Sequence, residues 1–329
     1  MSARDIEKLV KSVLGGNRRA LAQAITLIES TRPKDRQAAM KLLAKLAPRA
    51  GKSIRVGISG VPGVGKSTFI ESLGNHLINA GHKVAVLAVD PSSAVSGGSI
   101  LGDKIRMEQL AKRPEAFIRP SPSGTTLGGV TRHTRETMLV AEAAGFDVLL
   151  VETVGVGQSE TAVADMTDMF ILMLLPGGGD ELQGIKRGIV ELADLILVNK
   201  ADGDMKPAAE RSVTDYRNAL EFLHPRNAHW QVSVESYSAL EESGIVEIWD
   251  IVQRYQTTLS ETGEIEHNRA NQAKAWMWSE IKDELVDNMK SDPDVKGRVK
   301  QLEKKVTDGK LSPTVAAQQL IATFLKRSA

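Results

Sequence analysis

Eight residues, Gly60, Val61, Pro62, Gly63, Val64, Gly65, Lys66 and Ser67, carry the strongest chemical signal in the chain. They follow the apolar run SIRVGIS and precede the amphipathic run STFIESLGNHLINA. Strand, glycine turn and helix thus come in the order that a phosphate-binding loop requires. Its glycines let main-chain N–H groups close around phosphate oxygens, and the positive end of the helix dipole adds to the attraction. In such a loop Lys66 reaches the β- and γ-phosphates, the Ser67 hydroxyl ligates Mg²⁺ and Thr68 touches the α-phosphate. A chance glycine turn is the alternative, and the ordered strand, lysine, serine and helix argue against it. The loop alone separates neither ATP from GTP nor a kinase from a hydrolase.

The base is read elsewhere. The segment LILVNKAD ends a strand-like run with Asn199, Lys200, Ala201 and Asp202. The Asp202 carboxylate can accept both the N1–H and the exocyclic N2–H of guanine, whereas adenine offers no such donor pair. Each charge-assisted bond of this kind contributes roughly 1.5–3 kcal/mol. The stem of Lys200 can lie along the ring, and Asn199 can tie this loop to the phosphate loop. Downstream, SYSAL supplies a short turn of Ser238, Ala239 and Leu240, with a backbone N–H near Ala239 expected to meet guanine O6. A merely polar strand end is the bland reading of NKAD by itself.

Acids at strand ends supply the metal candidates. DVLLVETVGVGQSE places Glu152 at the end of a strand, then Gly155 three residues on. Glu152 is expected to reach Mg²⁺ through a water, and the Gly155 N–H to face the γ-phosphate, which makes this loop a switch. Gln158 is a candidate for positioning water. VLAVDPSS puts Asp90 at another strand end, where open sheets bind ligands. GGSILGDKIRM puts Asp103 at a helix start, where an N-cap is the competing role. The expected metal set is therefore Ser67, Asp90, Asp103 and Glu152, and the expected catalytic set Lys66, Glu152, Gly155 and Asp90.

A second glycine-rich loop, PGGGDELQGIKRG, follows the buried run MFILMLL. Charged and glycine-rich, it leaves a strand C-terminus and so faces the ligand edge of the sheet. A solvated loop with a helix cap is the competing reading.

The elements that must position these groups are legible in the same way. Seven apolar runs, SIRVGIS, KVAVLAVD, AFIRP, DVLLVET, MFILMLL, LILVNK and QVSVES, alternate with helical segments. Most are continuous rather than alternating, as in parallel strands covered on both faces. The expectation is an α/β, doubly wound, mostly parallel sheet over residues 51–258. A helical extension precedes it at 1–50, and a polar helical arm with few apolar residues per turn follows at 259–329. The chain has 329 residues, 42% hydrophobic and 25% charged, with a net charge of +1 and no cysteine. Those values exclude disulfides and Cys-ligated metal and give no global basic field for nucleic acid, so a charged partner must be met by a local patch. The six histidines lack metal-ligand spacing. No apolar stretch is long enough to span a bilayer, and the N-terminus resembles no targeting segment, so a cytoplasmic protein is expected.

With GVPGVGKS, VDPSS, GGSILGDK, RPSPS, LGG, VETVGVGQSE, GGGDELQGIK and NKAD in one chain, the sequence resembles the MeaB/ArgK/MMAA family of P-loop GTPases. The resemblance runs over nearly the whole chain. One departure is SPSGTTLGG where SPSSGTLGG is the family pattern. The resemblance implies GTP or GDP with Mg²⁺ as the bound nucleotide and a homodimer held by the C-terminal arm. It implies a partner, an adenosylcobalamin-dependent acyl-CoA mutase such as methylmalonyl-CoA mutase, whose cofactor loading and reactivation the protein gates. No cobalamin is expected to be held by this chain alone. In this family the second glycine loop is a third switch, which assigns Asp180, Glu181, Gln183 and Lys186 to partner coupling. A P-loop kinase linked to arginine or ornithine transport is the alternative activity. A nickel-type metal insertase would need a Cys/His cluster, which the composition lacks.

Overall fold

The computed structural model describes residues 1–30, 32–89, 107–120, 127–153, 159–177, 187–222 and 226–325. Asp90, Asp103, Gly155, Gln158, Asp180, Glu181, Gln183 and Lys186 lie outside the described residues.

All seven apolar runs are strands. β1 (Ile54–Gly60), β2 (Val84–Val89), β3 (Ala116–Arg119), β4 (Val148–Thr153), β5 (Met169–Leu174), β6 (Leu195–Val198) and β7 (Ser233–Ser236) form one sheet in the order β3-β2-β4-β1-β5-β6-β7. Every pairing is parallel, with Gly57 opposite Val151 on one side of β1 and opposite Phe170 on the other. Parallel ladders require crossovers, and the helices provide them.

Period two decides which face each strand residue serves. In β4, Val148 and Leu150 enter the hydrophobic cluster on one face, with Phe69, Ile70 and Leu73 of α4 (Lys66–Asn79). Leu149 and Val151 enter the cluster on the other. That second cluster also takes the apolar faces of α1 (Ala3–Leu14), α2 (Arg18–Ile28) and α3 (Pro33–Leu46). The N-terminal helices are thus a layer of the sheet domain. The short α5 (Glu108–Lys112) lies before β3, and α6 (Leu127–Ala143) and α7 (Ser159–Ala164) lie on either side of β4 in sequence. α8 (Arg187–Val190), α9 (Lys206–Leu220) and α10 (Ile245–Glu261) complete the alternation.

The starts of three strands share one device. Asp147, Asp168 and Asp194 stand directly before β4, β5 and β6. Their carboxylates accept the backbone N–H of Lys83 at 2.7 Å, Arg55 at 2.8 Å and Phe170 at 2.8 Å on the neighbouring strand or just before it. Each aspartate's own N–H donates back to the same residue's carbonyl. Donors that would be left unpaired at the rim of the sheet are thereby satisfied.

The chain divides into two compact units, Met1–Arg269 and Ala270–Ala329. The first turns of α11 (Glu264–Ser291) stay with the sheet through Ile265, a core residue, and Arg269. Arg269 donates to both oxygens of Asp168 at 2.7 and 2.6 Å, and to the carbonyls of Gly51 and Ser53, each at 2.6 Å. Burial would lower its pKa, but the bonds and charge of Asp168 outweigh that and raise it. Beside it, Arg55 forks onto Glu142 at 2.8 and 3.0 Å, and Glu142 also accepts from Ser53 Oγ and Gly51 N. Burial pushes the Glu142 carboxyl up, but these donors, led by Arg55, hold it below the ordinary range. In the second unit, α12 (Pro293–Thr307) packs on α13 (Pro313–Leu325), with Val295, Leu302 and Ala316 buried. Among the described residues no helix is long and apolar enough to cross a membrane.

Candidate functional site

The phosphate loop runs from the end of β1 into α4, and its glycines are there for space as well as turn. Gly65 has φ +97°, and a Cβ on it would run into the Asn199 side chain. A Cβ on Gly60 would run into the Met173 carbonyl of β5. No side chain caps α4, so the N–H groups of its first turn are left to the loop, as an anion site requires. The Lys66 ammonium is held within the loop, donating to the carbonyls of Gly60 at 2.7 Å and Val61 at 3.2 Å, and the residue is only 8% exposed. A positive charge is therefore already positioned where phosphate oxygens would enter. Pro62, Gly63 and Thr68 are exposed around it, and Val64 is buried beneath.

Asn199 joins this loop to the base-reading segments. Its Nδ2 donates to the Val64 carbonyl at 2.6 Å. Its Oδ1 accepts from Lys200 N at 2.7 Å and from Ala239 N at 3.2 Å. One buried amide thus fixes the phosphate loop, the NKAD turn and the SAL turn against each other. Lys200 takes the left-handed conformation, φ 62°, which turns the chain sharply at the strand end. The fully buried Ser238 donates through Oγ to Asp202 Oδ2 at 2.5 Å and accepts from Glu241 N at 3.1 Å. That bond orients the carboxylate that the sequence singles out for guanine. The Ala239 N–H, expected to face O6, is directed at Asn199 in this structure, and the Leu240 side chain is 83% exposed.

On the other side of the loop, Ser67 Oγ and Glu152 Oε1 stand 3.5 Å apart. Two hard oxygen donors at the loop edge suit Mg²⁺, which keeps several waters and takes others of its ligands from phosphate. The described residues hold no cluster of three or more His, Cys, Asp or Glu that would make a protein-only metal cage. The fit is therefore to a metal shared with a nucleotide.

Three contacts escape sequence reasoning. Thr153 Oγ1 donates to Ser59 Oγ at 2.9 Å, locking the ends of β4 and β1 beneath the loop. Tyr237 packs edge-on to Phe69 of α4, ring centroids 5.2 Å apart, and burial pushes its phenol well above the usual range. Ser238 bonds Asp202 across 36 positions, and only the S-A-L triplet hints at it.

Comparison with known proteins places these features in a family. The model of the methylmalonyl Co-A mutase-associated GTPase MeaB matches residues 21–294. A putative GTPase of Caulobacter vibrioides is 54% identical over 323 residues, covering 98% of both chains. The methylmalonic aciduria type A homolog of Mus musculus, a mitochondrial protein, is 46% identical over 98% of this chain and 80% of its own. The crystal structure of a LAO/AO transport system kinase superposes with a TM-score of 0.77 at 37% identity, covering 99% of each chain.

Proposed function

This chain belongs to the MeaB family of methylmalonyl-CoA mutase-associated GTPases, and from that premise we propose that it gates cofactor loading and reactivation of an adenosylcobalamin-dependent acyl-CoA mutase. It is a GTPase. The observation that supports the mechanism best is the Asn199 amide, which makes phosphate loop and guanine turn one rigid receptor.

In hydrolysis, water attacks the γ-phosphorus and the bond to the β-phosphate oxygen breaks, leaving GDP and inorganic phosphate. The backbone N–H groups of residues 63–68 hold the phosphates, and Lys66 places its ammonium beside the charge that spreads over the γ-oxygens. Ser67 and Glu152 would hold Mg²⁺, which when bound neutralises charge on the β- and γ-oxygens. Asp90, Asp103 and Gly155 are proposed to complete the metal side and the γ-phosphate contact. Asp202, oriented by Ser238, selects guanine, with Lys200 along the ring and the 238–240 turn closing over O6.

Communication with the mutase is assigned to Asp180, Glu181, Gln183 and Lys186. The loop leaves the sheet just past β5, where Gly177 N donates to Ser212 Oγ of α9 at 3.1 Å, and rejoins the described chain at α8. The end at Gly177 is thus anchored just past the C-terminal end of β5, on the side of the sheet where ligands bind. The arm is proposed to form a homodimer: Met277, Trp278, Ile281 and Leu285 are exposed on α11, Trp278 by 60%. Light scattering of the full-length protein at micromolar concentration should give twice the chain mass.

The test of the gating role is cofactor transfer. Apo-mutase is mixed with adenosylcobalamin and this protein, and holo-mutase activity is followed with GTP or GDP. A nucleotide-dependent change in loading supports the proposal, and identical loading without the protein overturns it. The name of the 37% identical structure favours one other reading, a kinase. It predicts label from γ-³²P-GTP on an acceptor, where hydrolysis yields only inorganic phosphate.

A further inference from the structure

Charge is distributed unevenly along this nearly neutral chain. Residues 1–52 carry twelve Lys and Arg against four Asp and Glu, a net of +8, while the whole chain is +1. The remaining residues are therefore acidic by −7. In the folded protein this excess is arranged in stripes. Arg4, Lys8 and Lys11 of α1 lie within about 60° of one another around the helix at 3.6 residues per turn, and so do Lys34, Lys41 and Lys45 of α3. All six are exposed. α1 and α3 pack side by side, and the ion pair of Glu7 with Lys45 joins them. Among the described residues Lys45 alone of the six is ion-paired.

We propose that this two-helix basic face is the docking surface for an acidic surface on the partner mutase, an inference that rests on the mutase reading above. Among acidic partners, the structure weighs against an inserted membrane helix and against single-stranded nucleic acid. An interfacial membrane helix needs an apolar face to insert. Here Ile6, Leu9, Val10 and Val13 of α1 and Leu42 and Leu46 of α3 are buried against the sheet domain. Single-stranded nucleic acid is gripped by aromatic side chains stacking on bases. Residues 1–52 contain no Phe, Tyr or Trp. The layer offers a hydrophilic, cationic surface on a folded scaffold, suited to steering and orienting a folded acidic partner. Its position also fits. The layer shares its face of the sheet with α7, whose Val163 and Ala164 lie in the same hydrophobic cluster as Leu42 and Val13. α7 is the helix that follows the strand of Glu152, so a partner seated there borders the element downstream of the metal-side acid.

The experiment uses the full-length protein and its Lys8→Glu/Lys11→Glu/Lys41→Glu variant. None of these residues belongs to the nucleotide site, so unchanged basal GTP turnover confirms folding. Affinity is measured by calorimetry for methylmalonyl-CoA mutase, for a DNA duplex and for phosphatidylserine vesicles, at low and high salt. The expected result is mutase binding weakened about tenfold or more at low salt, with the difference shrinking as salt screens the charges. The milder Lys8→Gln/Lys11→Gln/Lys41→Gln variant should fall between. Equal mutase affinity in parent and variants overturns the docking surface and leaves the mutase reading standing. Absence of mutase binding by the parent overturns both. Tighter, charge-dependent binding of the parent to DNA or vesicles than to mutase overturns the surface in favour of that ligand.

Discussion

The two ends of the sheet are built by opposite means. At the C-terminal ends of the strands the chain uses glycine turns, main-chain donors and one lysine held by carbonyls, leaving groups ready for a ligand. At the N-terminal ends it uses carboxylates that are already satisfied by guanidinium groups and main-chain donors: Asp168 by Arg269 and the Arg55 N–H, Glu142 by the Arg55 guanidinium, Asp194 by the Phe170 N–H. The difference teaches where charge serves binding and where it serves order. A charge that awaits a ligand must be accessible, whereas a buried charge must be paired or it is costly. Ligands bind at the C-terminal rim of open parallel sheets, so damage at the base should appear as lost stability rather than altered chemistry.

The sharpest break in that comparison comes from Lys66. Lys66→Ala should lower GTP turnover by about two to three orders of magnitude or more, as removal of a transition-state charge contact does. Its unfolding midpoint should stay near that of the parent. A turnover within tenfold of the parent would place the chemistry elsewhere.

Arg269 is the mirror case. Arg269→Ala leaves Asp168, which is almost wholly buried, without its main counter-charge. The expected cost is about 3 kcal/mol or more in urea unfolding, as for other broken buried pairs. GTP turnover per folded molecule should be unchanged. A stable variant with impaired turnover would mean that the base and the nucleotide edge are coupled.

A smaller effect follows from pH. Burial pushes the Asp194 carboxyl up to about 6, and the charge of Arg226, 3.8 Å away, and the Phe170 N–H offset this only in part. The unfolded carboxylate titrates near the ordinary value of 3.8. Between the two the folded state holds the extra proton, so stability from this group is lost as pH rises through that window. Relative to Asp194→Asn, which cannot titrate, the parent should gain stability as pH falls from 7 to 4, by up to roughly 3 kcal/mol. A difference that stays constant with pH would show that Asp194 is charged throughout.

The same contrast governs what could be read in the sequence. Most strands are apolar runs that must be buried on both faces, so their positions follow from composition within seven or so residues, whereas the edge strand β7, SVES, is only partly buried. The phosphate loop and NKAD are legible because their chemistry is local: a glycine turn before a helix, and a carboxylate at a strand end. The base network is not, because Arg269 meets Asp168 across 101 positions and Arg55 meets Glu142 across 87. No local pattern encodes such pairs. A partial signal lies in the aspartates that open DVLLVET, DMFILML and DLILV, three repeats of one strand-start device. Ser238 and Ala239 illustrate the middle ground: the triplet was visible, but only the fold shows its serine orienting Asp202 and its amide bonded to Asn199.

The most direct test of the account is GTP turnover with and without methylmalonyl-CoA mutase, in the parent and in Lys186→Ala. The account predicts that the mutase accelerates the parent, and that Lys186→Ala keeps basal turnover within a few-fold while losing most of the acceleration. Parental turnover indifferent to the mutase would contradict the partner. Basal and accelerated rates falling by the same factor would place Lys186 in the hydrolytic site and contradict the switch.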